Sequence, residues 1–157
     1  LTILIYLYYN LLYKYNYSEV MRMDTIASIF KEKKLKLTPQ RLSVYKYLIG
    51  TNSHPSADKI YTDMHEQYPT MSLATVYKSL KTLADVGLIQ EINVGEGNFR
   101  YDANVHPHPH LQCLGCSKVE DFKNLSLDNL NELAETNSDY KIMSNQVYFY
   151  GYCKECQ

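Results

Sequence analysis

The chain lacks the features of a membrane-spanning or disordered protein. Its longest apolar stretch, residues 1–13, is shorter than the roughly 20 residues needed to cross a bilayer. That stretch has neither a preceding basic segment nor a small-residue cleavage site, so it does not match a signal peptide. Glycine and proline are sparse, no segment is of low complexity, and 45% hydrophobic residues suffice for a folded core. We therefore expect a folded protein of the cytoplasm.

Residues 1–20 differ in character from the rest of the chain. They are rich in tyrosine and leucine, the chain begins with leucine, and Met21 and Met23 stand just before the first ordinary helical pattern. We expect residues 1–20 to be an N-terminal extension that results from a misplaced start of translation. The alternative is an amphipathic extension that packs on the body or lies on a membrane surface.

The charge is small overall, at −1, and unevenly distributed. Residues 31–46 hold six basic side chains and one acidic side chain, Glu32. Such a segment can meet a phosphate backbone, although a charge run alone more often marks a solvated helix face.

Four helical patterns precede a hairpin pattern. Two of the helices have serine or threonine at the N-cap and a following glycine: Thr38, with Pro39 at the first helical position and Gly50 at the end, and Ser72, with Gly87 at the end. Pro69 is expected to end the third helix. The predicted elements are helices at 23–32, 38–50, 56–69 and 72–87 and a hairpin at 88–102. This order indicates a winged helix-turn-helix, with a small helical bundle that binds nothing as the alternative.

The fourth helix carries the pattern most typical of DNA recognition. Leucine and valine recur at helical spacing and predict a buried stripe, Leu73, Val76, Leu80 and Leu83. The opposite face is small, polar and basic, with Tyr77 at its margin, which suits insertion into a major groove. That face comprises Ala74, Thr75, Lys78 and Lys81.

After a boundary near 102–106 the pattern predicts a second, α+β unit with strand, strand, helix, strand order. The first two strands flank a cysteine pair in residues 106–122. A helix capped by Ser126 should follow, and a strand is expected over 141–153. The apolar side chains expected to face inward from that helix are Leu127, Leu130, Leu133 and Ala134.

All four cysteines fall into two Cys-x-x-Cys pairs, Cys113 with Cys116 and Cys153 with Cys156. Two such pairs present four thiolates to one tetrahedral Zn²⁺, in a closed and therefore structural site. Disulfides or redox-active dithiols are the alternative, which a cytoplasmic location disfavours.

Three of the five histidines alternate in one stretch, His106, His108 and His110. In a strand these side chains share a face. His54 precedes the third helix, and Asp102 and Asp121 flank the histidine stretch. Imidazoles combined with carboxylates suit Fe²⁺, Mn²⁺ or Zn²⁺ better than Mg²⁺ or Ca²⁺. A loop without function is the alternative.

Six motifs occur together and in order, and with them the chain resembles the ferric-uptake-regulator family over residues 24–156. They are LTPQR at 37–41, HPSADKIY at 54–61, SLATVYKSL at 72–80, FRYD at 99–102, HPHLQCLGCSKVEDF at 108–122 and YGYCKEC at 150–156. The resemblance implies an N-terminal winged-helix domain over 21–102 and a small α/β dimerisation domain over 103–157. It also implies a homodimer that binds palindromic double-stranded operators when loaded with metal, with no membrane partner and no small-molecule substrate.

The resemblance also assigns roles to residues. The family's structural zinc maps to Cys113, Cys116, Cys153 and Cys156. Its regulatory Fe²⁺ or Mn²⁺ maps to His54, Asp102, His108, His110 and Asp121. Its DNA contacts map to Lys36, Arg41, Thr75, Tyr77 and Lys78. Aspartates at 102 and 121 resemble the peroxide-sensing branch; a repressor of iron, zinc or manganese uptake is the alternative.

Two enzyme classes are rivals to a non-enzymatic regulator. A zinc hydrolase or deaminase would use the histidine cluster, but the His-x-Glu and Pro-Cys-x-x-Cys motifs of such deaminases are missing. A thiol-disulfide oxidoreductase would use a Cys-x-x-Cys pair, and that pair would then have to be free of zinc.

Overall fold

The computed structural model describes residues 23–95, 97–122, 125, 127 and 129–157. The predicted extension 1–20 and the predicted cap Ser126 lie outside these residues. The helices are α1 Met23–Glu32, α2 Pro39–Ile49, α3 Ala57–Met64, α4 Leu73–Asp85 and α5 Leu130–Thr136. The strands are β1 Gln90–Asn93, β2 Phe99–Asp102, β3 His110–Cys113, β4 Val119–Asp121 and β5 Tyr148–Gly151.

The N-terminal caps predicted for α2 and α4 are confirmed. The Thr38 side chain accepts a hydrogen bond from the backbone N–H of Arg41, and Pro39 occupies the first turn of α2. The Ser72 side chain accepts from the backbone N–H of Thr75. Each cap satisfies a donor that the first helical turn leaves without a partner.

The predicted end of the third helix is wrong. α3 ends at Met64, and the chain continues through turns in which the Tyr68 N–H donates to the Met64 carbonyl. Tyr68 nevertheless packs against the core. A proline disfavours helical conformation at the residue before it. Pro69 therefore sets the latest point at which α3 can end, but it does not fix the last helical residue.

Strands β1 and β2 form the predicted antiparallel hairpin, with Gln90 opposite Asp102. Gly95 and Gly97 flank the turn with positive φ values of 104° and 74°, which glycine adopts without strain. The hairpin follows directly after α4, as in a winged helix-turn-helix.

One apolar core unites the four helices and the hairpin. Its members all come from residues 26–103, and Phe30, Ile60 and Leu80 are almost fully buried within it. This core fixes α4 in place while one face of that helix remains exposed. Among the described residues, no helix is long and apolar enough to cross a membrane.

The second part of the chain forms a separate sheet with strand order β4-β3-β5. β4 is antiparallel to β3, and β5 is parallel to it. The strand predicted over 141–153 is confirmed only for the four residues of β5. The strand, strand, helix, strand order is as predicted.

The inward face predicted for the helix after β4 is wrong in the single chain. α5 begins only at Leu130 and buries no residue, and Leu133 is 60% exposed. Ala134 is exposed as well. An amphipathic pattern specifies that a face is apolar, but it does not say whether the same chain or a second copy covers it.

Candidate metal centres and nucleic-acid interface

The five residues predicted for the regulatory site lie together. Each offers one ligand atom, and these atoms all lie within 4.8 Å of one another: His54, Asp102, His108, His110 and Asp121. His106 is not part of this group. The structure thus brings two of the three alternating histidines into this group: His110, the first residue of β3, and His108, which lies just before the strand.

Separate segments bring these side chains to one point. Asp102 ends β2, and His54 lies in the loop before α3. This loop is held against β2 because the N–H of Tyr101 donates a hydrogen bond to the Pro55 carbonyl at 3.1 Å. In the second sheet, His110 pairs in register with Asp121. The site therefore spans the junction between the winged-helix core and the second sheet.

His54 has a left-handed backbone conformation, with φ of 46°, directly before Pro55. This conformation is uncommon for residues other than glycine, and it persists where the surrounding structure imposes it. Here it lies at the one metal-binding candidate contributed by that loop. Such strain is typical of functional sites.

Two carboxylates lie among the three imidazoles. Asp121 Oδ1 is 2.9 Å from His54 Nε2 and 3.1 Å from His108 Nε2. Asp102 Oδ2 is 3.3 Å from His108 Nε2, 3.6 Å from His54 Nε2 and 3.8 Å from His110 Nε2. All three Nε2 atoms thus converge on the same pair of carboxylate oxygens.

The donor set fits a metal ion better than it fits a hydrogen-bonded network. Both ring nitrogens of His54 and the Nε2 of His110 are buried without an aligned hydrogen-bond partner among the described residues. Buried polar atoms rarely remain unsatisfied. Ligands on opposite sides of one ion lie about 4.2 Å apart when metal–ligand bonds are about 2.1 Å. One ion at the centre would satisfy these nitrogens.

The charges in the site sharpen this fit. Burial opposes protonation of His54 and His108, but the two carboxylates outweigh it and raise the pKa of His54 to about 9 and that of His108 to about 10. Burial favours the neutral acids, yet the nearby imidazoles, His108 first, hold the pKa of Asp102 and that of Asp121 far below the usual range. A bound cation would replace the imidazole protons, so metal affinity should fall as the pH falls.

Three supporting contacts were not foreseen from the sequence. The His106 carbonyl lies 2.7 Å from His108 Nδ1, which favours the tautomer that leaves Nε2 free for a metal. Asp102 accepts hydrogen bonds from the Gln90 side chain at 2.9 Å and from the Asn104 N–H at 2.7 Å. No sequence signal marks Gln90, because it becomes a partner only through the β1–β2 register.

The four cysteines form a second cluster, and their sulfurs also lie within 4.8 Å of one another. All four are free thiols. Cys116 Sγ and Cys153 Sγ are 3.8 Å apart, whereas a disulfide is about 2.05 Å long. A tetrahedron with Zn–S bonds of about 2.3 Å has edges of about 3.8 Å. The cluster therefore fits a tetrahedral thiolate metal site.

Backbone amides prepare one of these thiols for binding. The N–H groups of Cys153 and Gly115 each lie 3.3 Å from Cys113 Sγ and donate to it. Backbone hydrogen bonds from Cys153, Cys116 and Gly115, in decreasing order of effect, lower the pKa of Cys113 to about 6. A thiolate is the form that binds a metal.

Gly115 allows the two cysteine pairs to approach each other. A Cβ at this position would lie 2.8 Å from Cys156 Cβ and 2.9 Å from its sulfur. We predict that Gly115→Ala speeds zinc loss to a chromogenic chelator about tenfold, as disturbed ligand support typically does. Gly151→Ala is the matched control, because nothing lies within 4 Å of its Cβ. Equal release rates in the two variants would contradict the role of this close approach.

The predicted DNA-contacting residues lie at or near exposed surface. Tyr77 is 46% exposed, Lys78 is exposed, and Val76 and Leu80 are buried on the opposite side of α4. Of the four residues predicted to form the buried stripe, Leu73 is only half-buried.

The other three predicted DNA contacts have additional local partners. The Thr75 hydroxyl lies 2.9 Å from the Ser72 hydroxyl within the α4 cap. Arg41 donates from Nη1 to the Lys36 carbonyl at 2.7 Å, so Arg41 also fixes the turn before α2.

Comparison with known proteins establishes the family. The model of the ferric uptake regulator family matches residues 32–150, and the chain belongs to this family. The chain is 63% identical over 135 residues to the transcriptional regulator PerR of Clostridium acetobutylicum, covering 86% of this chain and 98% of that protein. It is 37% identical to the peroxide-responsive repressor PerR of Staphylococcus epidermidis, over 85% of this chain and 89% of that one.

Solved structures agree with this assignment. The peroxide stress regulator of Campylobacter jejuni is 34% identical, with a TM-score of 0.66 over 87% of this chain and all of that one. The ferric uptake regulator of Helicobacter pylori, at 22% identity, shares the fold with a TM-score of 0.72 over 90% of this chain and 94% of that one. The resemblance drawn from the six motifs and the expected α+β fold are confirmed.

Proposed function

We propose that this protein is a metal-dependent, DNA-binding transcriptional repressor of the ferric uptake regulator family that responds to peroxide. The observation that carries the proposal is the cluster of three imidazoles and two carboxylates at the junction of the two sheets. The names of its relatives support it, since one is a transcriptional regulator PerR and another a peroxide stress regulator. Its role is that of a regulator and not of an enzyme.

Each part of the chain has a role in this proposal. Residues 21–102 form the DNA-binding domain, and residues 103–157 form the domain for dimerisation and metal binding. Zn²⁺ at the four cysteines stabilises the second domain. Fe²⁺ or Mn²⁺ binds the cluster of histidines and aspartates, because mixed nitrogen and oxygen ligands suit these ions. The protein acts in the cytoplasm as a homodimer on a palindromic operator.

Metal binding couples to DNA binding through the origin of the ligands. His54 belongs to the DNA-binding domain, Asp102 lies at the boundary, and the other three ligands belong to the second domain. A shared ion favours the one inter-domain angle at which both winged helices of a dimer fit successive major grooves. Because this is a population shift, the metal-free dimer should bind DNA weakly rather than never.

The pair of aspartates supports peroxide sensing over plain metal sensing. Asp102 and Asp121 accompany the three imidazoles, and five such ligands leave one position open on a six-coordinate ion. Fe²⁺ held by these five residues would supply the reducing electron for hydrogen peroxide, whereas Mn²⁺ held by them would not. His54 and His108 are the imidazoles expected to be oxidised. Reversible iron, zinc or manganese uptake control is the alternative, which peroxide treatment tests.

The coupling is tested with His108→Ala. A suitable probe is a duplex of about 25 base pairs, long enough for two half-sites one helical turn apart, that Mn²⁺-loaded wild-type protein selects from a random pool. We expect His108→Ala to bind this duplex at least tenfold more weakly with either Mn²⁺ or Fe²⁺, since it loses an inter-domain ligand. Fluorescence anisotropy measures the affinity.

His65→Ala is the matched control, because His65 is exposed and outside the cluster. It should retain wild-type affinity. A His108→Ala protein that still responds to Mn²⁺ like wild type would refute the coupling. A pool from which wild-type protein enriches no sequence would refute DNA recognition itself.

The DNA surface is tested by two neighbouring substitutions with different expected effects. Lys78→Ala should weaken binding to all duplexes and reduce the slope of log affinity against log salt by about 0.9, the value for one phosphate. Tyr77→Ala should mainly reduce discrimination between selected and scrambled duplexes, because Tyr77 is expected to contact bases. If both variants retain wild-type affinity and slope, α4 is not the recognition helix.

A further inference from the structure

The predicted base-contacting side chain is held by a residue that no motif singles out for DNA binding. The Tyr77 hydroxyl on α4 donates a hydrogen bond to Asp58 Oδ2 on α3, at 3.2 Å. These residues are 19 positions apart, so only the packing of α3 against α4 brings them together. The contact lies on the exposed face of both helices, since both side chains are exposed.

The carboxylate is notable because of where it lies. A negative charge beside the predicted recognition helix repels the phosphates that this surface must approach. Helix capping does not require it, because Ser56 caps α3 and accepts from the Lys59 N–H at 3.1 Å. The carboxylate is stabilised by the positive end of the helix dipole, because Asp58 lies in the first turn of α3. The contact with Tyr77 offers a functional reason for its presence.

The chemistry of the contact favours a fixed tyrosine. Partial desolvation by the neighbouring protein, and then the nearby charge of Asp58, raise the pKa of Tyr77, so its hydroxyl remains a proton donor. A hydrogen bond to an ionised acceptor is stronger than one between neutral groups. One such bond at the end of the ring restricts the direction in which the ring points, because the hydroxyl moves whenever the first side-chain torsion of Tyr77 changes.

We infer that Asp58 is a positioning residue for DNA recognition, which holds the Tyr77 ring in the orientation that contacts bases and so determines discrimination between operator and random DNA. The inference rests on the proposed DNA-binding function. A ring that is already ordered loses less conformational entropy when it docks against a base. That gain applies only where the ring meets its correct base, so it favours the operator over random sequence.

The test is a double-mutant cycle on Mn²⁺-loaded protein. The measured quantity is the ratio of the dissociation constants for a scrambled duplex and for the selected duplex. We expect Asp58→Ala and Tyr77→Phe each to lower this ratio about fivefold, the effect of ordering one side chain. The double variant should lower it about fivefold as well, because both changes remove one interaction. Thermal melting checks that every variant is folded.

Asp58→Asn separates the hydrogen bond from the charge. Its amide oxygen can still accept from Tyr77, so the ratio should stay within about twofold of wild type, while affinity for both duplexes rises as a repulsion is removed. Asp85→Ala is the control for losing one acidic side chain, since Asp85 lies at the other end of α4 and pairs with Lys81. It should leave the ratio unchanged.

Three results would overturn the inference. They are an unchanged ratio in Asp58→Ala, independent effects that multiply to about 25-fold in the double variant, and a loss in Asp58→Asn as large as in Asp58→Ala. Each requires that wild-type protein discriminates between the two duplexes. If wild-type protein itself does not discriminate, the proposed function and this inference fail together.

Discussion

Iron-loaded protein should lose its selected duplex after brief exposure to hydrogen peroxide, whereas manganese-loaded protein should keep it. The reason is the ligand set, in which oxidation of His54 or His108 would remove an imidazole that links the two domains. Loss of the metal then returns the dimer to the weakly binding population. Anisotropy of the labelled duplex, recorded anaerobically before and after peroxide, measures the change. We expect affinity to fall at least tenfold.

Chelator treatment separates this account from its alternative. Both metal forms should release the duplex when the regulatory ion is removed, and added Mn²⁺ should restore binding only to protein that has not been oxidised. If the iron form survives peroxide unchanged and still responds to the chelator, the protein is a reversible metal-uptake repressor. The family assignment would stand, and the importance given to Asp102 and Asp121 would be wrong.

Cys113→Ser and Cys153→Ser should each abolish zinc binding and the dimer together. The cysteine cluster links the end of β3 to the end of the chain, and α5 buries no residue that could replace it. Structural zinc contributes on the order of 10 kcal/mol to folding in small domains. We expect this to exceed the free energy of unfolding that the thinly packed second part of the chain has without zinc. Zinc content by mass spectrometry and oligomeric state by light scattering measure the two effects.

Wild-type protein carried through the same purification is the reference for both cysteine variants. A zinc-free variant that remains a folded dimer would contradict the structural role of the cluster. Purified wild-type protein that holds no zinc, and whose thiols a mild oxidant and reductant interconvert, would favour the rival redox function.

The two clusters of candidate ligands were largely predictable because their information is local. Two Cys-x-x-Cys pairs, alternating histidines and flanking aspartates identify ligand types without any knowledge of the fold, and the family motifs supplied His54. The geometry was less accessible. That His108 and His110 belong to the cluster while His106 does not depends on the course of the chain before β3, which alternation in the sequence does not specify.

Contacts between distant segments were not predictable. Gln90 reaches Asp102 through the hairpin register, and Tyr77 reaches Asp58 through helix packing. Gly115 is one small residue in a turn, and its necessity becomes visible only when Cys156 is placed against it. Such pairs are products of tertiary structure, which single-sequence patterns do not encode.

Three predictions about the helices and strands differ from the structure: the inward face of α5 and the bounds of α3 and β5. The pattern predicted an inward face on α5, yet Leu133 is exposed in the single chain. The apolar face was correctly recognised, but its partner was wrongly assigned to the same chain. In a homodimer such as the family forms, a second copy can cover the face. The boundaries of α3 and β5 were also overextended, since propensity continues past the point where packing ends.

The most direct test of peroxide sensing locates the oxygen. Trypsin places His54 between Lys46 and Lys59, in a peptide without methionine, and places His108 between Arg100 and Lys118. The absence of methionine matters because its oxidation also adds one oxygen. After peroxide, the Fe²⁺-loaded protein should gain about 16 Da, one oxygen atom, which fragmentation assigns to His54 or His108 and not to methionine or cysteine. The Mn²⁺-loaded protein should gain none there. Unmodified histidines in iron-loaded protein that has nonetheless released DNA after peroxide would contradict the account.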